Sequence, residues 1–479
     1  MLIIINIYIN AIFMMRKMKK NRLQTGIAAA LAVMSGCVLA AEGEVARPQS
    51  MDEMWKIIQM QQQQIDQMKK QMEKTAQTNE NNKVEVLDRK TSVLAQEVEK
   101  IRTELFIPDE IEYKSAYGLG PAASKVYQVD QGLSIGGYGE FNYQAIVGDR
   151  NQNSIDNADF ERLVLYVGYK FTDNILFNSE IEFEHSVAGD GENGSVAVEF
   201  AAVDFLLDPM ANIRAGMLLV PMGFINQIHE PPFFFGNNRP EVERRIIPTT
   251  WREIGAGLFG ELLPGLTYTT YVVNAMNAKN FTSSGIRSGR QKGSKARAED
   301  LAFVGRFDYA PEQLAGFSFG GSAYLGNSGQ NQVFNGQKID AFTQLYEAHM
   351  QWKYRGVEFR ALGSWGHIDD AAVLSAANGQ TIGEENYGLY AEVGYDIMPH
   401  FMPDSAQYLA PFFRYERLDT IAKAPTGFVD DLSQDKEIFQ VGLQYKPIPN
   451  VVIKADYRNW DSKAGDLPDD FNLGVGFIF

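Results

Sequence analysis

Asp470-Phe471-Asn472-Leu473-Gly474-Val475-Gly476-Phe477-Ile478-Phe479 closes the chain and decides how the rest is read. Phe471, Leu473, Val475, Phe477 and Phe479 fall on one face of a period-2 strand, and Asn472, Gly474, Gly476 and Ile478 on the other. A free edge carrying that apolar row would aggregate in water. A strand that completes a closed barrel in lipid needs such a face and leaves no edge open.

Working back from this end, alternating segments of the length a tilted membrane strand requires recur throughout the second two thirds of the chain. They fall near 133–147, 160–171, 175–186, 196–207, 213–220, 252–262, 265–275, 300–310, 316–326, 341–354, 357–366, 386–397, 408–419, 437–447, 450–459 and 470–479. Sixteen is an even number, as a single-chain bacterial barrel demands. The connections alternate between short turns, such as Leu263-Pro264 and Arg355-Gly356, and long loops, such as 221–251 and 276–299. That rhythm predicts periplasmic turns, external loops and both ends of the barrel in the periplasm. The faces differ in chemistry as well. The second strand places Leu163, Leu165 and Val167 outward against Arg162, Tyr166 and Lys170 inward. Aromatics at strand ends, among them Tyr169, Phe171, Trp352, Tyr354, Trp365 and Tyr395, suit the two membrane interfaces.

The predicted fold is therefore all-β, a sixteen-stranded antiparallel transmembrane barrel over 133–479, preceded by an N-terminal α-helical coiled coil. No run of 18 uncharged apolar residues follows the N-terminus, and 12% aromatics with 43 glycines among 479 residues suit strands and turns. Residues 1–40 read as a signal peptide, with Arg16, Lys17, Lys19, Lys20 and Arg22 before the apolar Ile27–Met34 and a cleavage site at Val38-Leu39-Ala40. The true start is then Met15 or Met18. Cys37, the single cysteine, lies inside that segment, so the mature chain has no disulfide; a lipidated Cys37 is the alternative. Removing 1–40 takes away five basic residues and no acid, moving the net charge from −16 to −21, which argues against nucleic acid as a partner.

Residues 41–107 hold the coiled coil. Met51, Ile58, Ile65 and Met72 with Met54, Gln61, Met68 and Thr75 form one heptad block. Val84, Thr91, Val98 and Leu105 with Leu87, Leu94 and Ile101 form the second. A helix lying on the barrel, or a disordered Gln-rich tract, is the competing reading. Residues 108–132 read as a linker, and the coiled coil belongs to the periplasm.

The chemistry concentrates in loop 3, 221–251. Five prolines, the run Phe233–Phe235, and Arg239, Arg244 and Arg245 make it too stiff and apolar to dangle in solvent. It is expected to fold inward and narrow the lumen, with Arg239, Arg244, Arg245 and Arg252 forming an eyelet opposed by Glu180, Glu182 and Glu184. The alternative is a loop that caps the barrel or packs at a subunit contact, its arginines paired with Glu241 and Glu243. Arg162, Arg306, Arg360 and Arg414 are expected on the lumen wall among balanced acids, and arginine excess at a constriction favours anions. Arg287, Arg290, Lys292, Lys295 and Arg297 on loop 4 draw anions to the mouth or form a solvated charge run. The five histidines share no metal-ligand spacing and no nucleophile–base set stands out, so neither an enzyme, a metal nor a cofactor is expected.

Ile135-Gly136-Gly137-Tyr138-Gly139-Glu140-Phe141, the block from Val220-Pro221-Met222-Gly223 to Glu230-Pro231-Pro232, and Arg252-Glu253-Ile254-Gly255 leading into Pro264-Gly265-Leu266 resemble the phosphate-selective porin O and P family. The resemblance spans roughly 133–479. It implies a homotrimeric outer-membrane porin for passive uptake of small anions such as phosphate, with its site on the arginines of loop 3 and the nearby wall. Phe479 likewise resembles the terminal aromatic that bacterial barrels present to the barrel assembly machinery. The acidic trio on the third strand departs from an unbroken arginine ladder, so a general porin stands beside this reading. A structural barrel tethered to peptidoglycan through the coiled coil is the alternative of a different class.

Overall fold

The computed structural model describes residues 56, 59, 60, 62–67, 114–148 and 154–479. Residues 62–67 are helical, and otherwise the signal peptide and the coiled coil lie outside the described residues.

Sixteen antiparallel strands close into a barrel. They are β1 (Gly132–Val147), β2 (Asn157–Thr172), β3 (Ile175–Glu184), β4 (Ser195–Asp208), β5 (Ala211–Leu219), β6 (Arg252–Leu263), β7 (Leu266–Asn274), β8 (Leu301–Tyr309), β9 (Phe317–Asn327), β12 (Phe342–Tyr354), β13 (Val357–Ile368), β14 (Glu385–Tyr395), β15 (Tyr408–Lys423), β16 (Asp435–Ile448), β17 (Val451–Ser462) and β18 (Asp469–Ile478). A two-residue ribbon, β10 (Val333–Phe334) with β11 (Gln337–Lys338), decorates the loop between β9 and β12. Each barrel strand pairs with its neighbours in sequence, and β1 pairs with β18 to close the ring. All sixteen predicted segments coincide with barrel strands.

The seam shows why the C-terminal pattern matters. Tyr138 stands opposite Ile478 and Tyr143 opposite Leu473. Gly137 and Phe479 exchange backbone hydrogen bonds of 3.0 and 2.9 Å. A Cβ on Gly137 would lie 2.7 Å from the Phe479 ring, so the glycine lets the terminal aromatic lie flat across the seam.

Outward-facing apolar side chains stay exposed around the whole circumference, including Ile135, Phe183, Leu258, Phe303, Phe319, Val393, Val441 and Leu473. Aromatic pairs mark strand ends: Tyr169 with Phe171 at 5.1 Å and Trp352 with Tyr354 at 5.9 Å. An exterior of this kind is at home in hydrocarbon, where closing the ring leaves no strand edge unpaired.

The interior is not a plain column of water. Loops 3 to 6 fold over the long-loop end and share one apolar core with the inward faces of the strands. Met222, Val242, Ile246 and Trp251 of loop 3 pack there with Met276 and Phe281, Ile339, and Leu374 of the following loops. Tyr271, Val304, Leu345, Leu362, Tyr390 and Leu418 meet them from the wall. These long loops carry too much apolar surface to remain in solvent, and the barrel mouth is the nearest place to bury it.

The expected linker also behaves differently. Residues 114–131 lodge inside the barrel at the short-turn end, with Leu119, Ala122, Ala123, Ser124 and Val126 buried. The short helix α1 (Lys125–Gln128) crosses β1 and β2. The wall supplies partners for its backbone: Asn178 Nδ2 donates to the Ala123 carbonyl at 2.9 Å and Lys170 Nζ to that of Val129 at 2.9 Å. Gly168 makes room, since a Cβ there would sit 2.6 Å from Val126.

Candidate functional site

Loop 3 runs inward and lies along the wall formed by β13 to β18. Its non-repetitive backbone has no ladder to satisfy it, so wall side chains take that role. Arg360 Nη2 donates to the Phe233 carbonyl at 2.6 Å, Lys446 to Pro232 at 2.6 Å, Arg414 Nη2 to Phe235 at 2.6 Å and Lys454 to Gly236 at 2.8 Å. Asp456 accepts from the Asn237 amide at 2.7 Å and from its side chain at 2.6 Å. Phe235 stacks on Phe412 at 5.1 Å, and the Lys454 ammonium sits 3.7 Å above the Phe234 ring. Inward glycines form the bed. A Cβ on Gly394 would strike Phe235 at 2.3 Å, on Gly474 Asn237 at 2.1 Å, and on Gly476 Pro231 at 2.3 Å.

After Pro240 the loop makes α2 (Glu241–Arg245). Glu416 on β15 accepts from the Val242 amide at 3.1 Å. Glu241 binds both predicted eyelet arginines, Arg244 at 2.8 Å and Arg245 at 2.7 Å. Burial pushes the Glu241 carboxyl up, but Arg244 and then Arg245 outweigh it and hold it at about 2. Glu243 instead turns into the wall, accepting from Tyr390 Oη at 2.5 Å and from the Ile225 amide at 2.7 Å. The loop thus runs into the barrel, and Arg244 and Arg245 pair with Glu241 of its own helix but not with Glu243.

The eyelet itself is arranged differently from the expectation. Arg252 is buried and reaches across to Glu199 on β4 at 2.7 Å. Glu182 bonds Arg162 at 3.0 Å, and Arg162 also holds Glu140 at 2.8 Å and Glu161 at 2.5 Å. Glu180 faces His229 at 3.0 Å, while Glu184 accepts from Ser195 at 3.0 Å. The acidic trio is therefore not lined up against the loop arginines, because each acid has a nearer partner. Arg239 stays half-buried, and its Nη2 has no hydrogen-bond partner among the described residues. The wall arginines are engaged as well: Arg306 with Asp308 at 2.6 Å, Arg360 with Glu358 at 2.6 Å, and Arg414 with Glu392 at 2.8 Å.

Loop 4 completes the mouth. Arg290 donates to the Thr250 carbonyl at 2.7 Å and the Pro248 carbonyl at 3.1 Å, and Arg287 to Arg244 at 3.3 Å. These two cations thus clamp loop 3 and are not part of a solvated run, while Lys292, Lys295 and Arg297 are exposed. Burial, followed by Arg290, Arg239 and Arg244, pushes the Arg287 guanidinium down to about 8. Burial is the larger part of that push and the neighbouring guanidiniums the smaller, and Arg287 nonetheless stays protonated, as guanidiniums in proteins do.

Several residues that sequence reasoning passed over organise the other end. Arg214 on β5 makes paired 2.8 Å bonds to Asp204, and also reaches Tyr127 at 2.9 Å and Tyr271 at 3.2 Å. Glu230 accepts from the amides of Ala122 at 3.0 Å and Ala123 at 3.3 Å. Strand parity marks Arg214 as inward, but nothing in the pattern pairs it with Tyr117, 97 residues upstream. A cavity of about 520 Å³ opens here, lined by Tyr117, Asp208, Asn212, Gln227, Arg306 and Asp308 among others.

No family model matches the sequence. An uncharacterized protein of Aquifex aeolicus (strain VF5) is 38% identical over 394 residues, covering 79% of this chain and 87% of its own length. This chain belongs to the same family. Among solved structures, the outer-membrane channel DcaP of Acinetobacter baumannii is similar over 72% of this chain and 97% of its own, at 15% identity and a TM-score of 0.47. The anion-selective porin from Comamonas acidovorans is similar over 72% and 99%, at 12% identity and a TM-score of 0.46. The trimer form of OmpT, an outer-membrane protein of Vibrio cholerae, covers 72% and 99% at 11% identity and a TM-score of 0.44.

Proposed function

We propose that this protein is a bacterial outer-membrane porin that passes small hydrophilic solutes passively, anions such as phosphate before cations. The observation that carries the reading is the closed sixteen-stranded sheet, apolar and exposed outside and lined inside with fixed charge. Neither a soluble protein nor a helical membrane protein has use for that combination. With long loops outside the cell, solutes meet Arg239, Arg244, Arg245 and Arg287 at the mouth and leave past the cavity beside Arg306 and Asp308. Because loop 3 and residues 114–131 fill so much of the barrel, the channel is narrow.

The anion preference rests on the resemblance to the phosphate-selective porin O and P family and on the positive potential of the mouth. Homotrimer formation, recognition of Phe479 by the barrel assembly machinery and a periplasmic coiled coil touching peptidoglycan belong to the same proposal. Planar-bilayer recordings test it. Reversal potentials in graded salt should indicate anion preference, and added phosphate should reduce chloride current by competing for the mouth. A reversal potential favouring cations would remove the anion assignment.

One observation favours a second reading. The apolar core joining loops 3 to 6 is what a barrel closed for a structural role would contain. That version predicts no conductance at all, in the same recordings.

A further inference from the structure

Three side chains that can ligate a metal converge in the barrel wall. His229, at the root of loop 3, is buried, as are Glu180 on β3 and Glu199 on β4. One ring nitrogen of His229, Nδ1, lies 3.3 Å from the Asn226 carbonyl. With the ring hydrogen on Nδ1, where that carbonyl can accept it, Nε2 is left as the ligand nitrogen turned toward the acids. It lies 3.0 Å from Glu180 Oε1 and 3.5 Å from Glu199 Oε2. Glu199 is also bound by Arg252 through Oε1 and has the Glu182 carboxyl against it, whereas Glu180 Oε2 is buried without a hydrogen-bond partner.

We infer that Glu180, Glu199 and His229 form a site for a borderline divalent cation such as Zn²⁺. Metal-ligating histidines characteristically donate their second ring nitrogen to a backbone carbonyl, which is the arrangement at Asn226. Bonds of about 2.0–2.1 Å in a tetrahedral set put ligand atoms roughly 3.3 Å apart. The observed 3.0 and 3.5 Å bracket that value, and all three ligand atoms lie within 4.8 Å of one another. One imidazole with two carboxylates suits zinc and its neighbours better than calcium or magnesium, which prefer oxygen alone. The cation would join β3, β4 and the root of loop 3, fastening the loop at the wall opposite its glycine bed.

The other group of this type among the described residues, His367 with Glu384 and Glu385, is half exposed and already has Lys423 at 2.6 and 3.5 Å from the two glutamates. It serves as the control. The test uses the full chain, folded in detergent, stripped with chelator and titrated with Co²⁺, whose visible spectrum reports tetrahedral ligation. Wild type should take up one equivalent, displaced by Zn²⁺. His229→Gln and Glu199→Gln should bind at least ~100-fold more weakly, since even outer partners of metal ligands are worth about 10–100-fold; His367→Gln should bind as wild type. Zn²⁺ should also raise the thermal midpoint of wild type but not of His229→Gln. A wild type with no cobalt spectrum overturns the site, whatever the variants do, and means that a shared proton satisfies the cluster. Loss of binding in His367→Gln alone would overturn it equally.

Discussion

The two sides of the barrel hold different inserted segments. On the β13 to β18 side, Arg360, Arg414, Lys446 and Lys454 give hydrogen bonds to the carbonyls of loop 3. On the β1 to β6 side, Arg162, Arg214 and Arg252 are engaged with carboxylates, and the clamp on residues 114–131 includes acids and an amide: Asp204, Glu230 and Asn178. Inward cations are therefore not interchangeable pore-lining charge. Both sets join buried ion pairs, but one also clasps loop 3 and the other residues 114–131.

The largest expected effect separates those roles. Arg414→Ala leaves Glu392 buried with only Arg360 at 3.4 Å and deprives Phe235 and Asn238 of a donor, and Arg214→Ala leaves Asp204 buried with only the Tyr127 hydroxyl. Breaking a buried pair costs about 3–5 kcal/mol, so both variants should lose that much in denaturant unfolding from detergent. Only Arg414→Ala should also expose loop 3 to protease and raise single-channel conductance. Equal exposure of loop 3 in Arg214→Ala would erase the distinction between the two walls.

Crowding of the glycine bed comes next. Gly474→Leu forces a side chain into space held by Asn237. Overpacking of this kind typically costs about 1–3 kcal/mol, and loop 3 rather than the strand should give way. Unchanged proteolysis of the loop would show that the bed is dispensable.

A pH effect is expected at Glu243, whose carboxyl burial pushes from 4.5 up to about 7 against the hydrogen bonds from Tyr390 and Ile225. Glu347 adds to the rise and His349 opposes it. The folded protein thus binds this proton more tightly than the unfolded chain. Its contribution is complete below about 4.5 and is lost as pH rises through about 7. Amide exchange of the loop 3 root should accelerate across that window beyond the intrinsic rate, and Glu243→Gln should remove the extra acceleration.

The smallest stability effect belongs to Arg244 and Arg245. Their pairs with Glu241 are partly open to solvent, so alanine at both should change stability by only about 0–1 kcal/mol. It should nevertheless move the reversal potential toward cations. A potential that stays put would take these two residues out of the conduction path.

Much of the barrel was legible before any coordinates. Side-chain alternation has period 2 in any strand, so Leu163 to Phe171 and Phe471 to Phe479 declare their faces locally, and sixteen such segments specify a closed sheet. The prolines and aromatics of loop 3 also betray its inward course, because their burial is a local necessity.

What the pattern cannot carry is which distant partner each inward residue meets. Arg414 and Arg214 look alike in sequence, yet one reaches Phe235 of loop 3 and the other Tyr117 and Tyr127 of the inserted segment. His229 stands 49 residues from Glu180, so no spacing rule joins them. Residues 114–131 read as a linker because their anchors lie on β2 to β5 and loop 3. Periodicity is set by the backbone within a few residues, whereas ion pairing, ligand convergence and the filling of the lumen exist only once the ring has closed and brought opposite walls together.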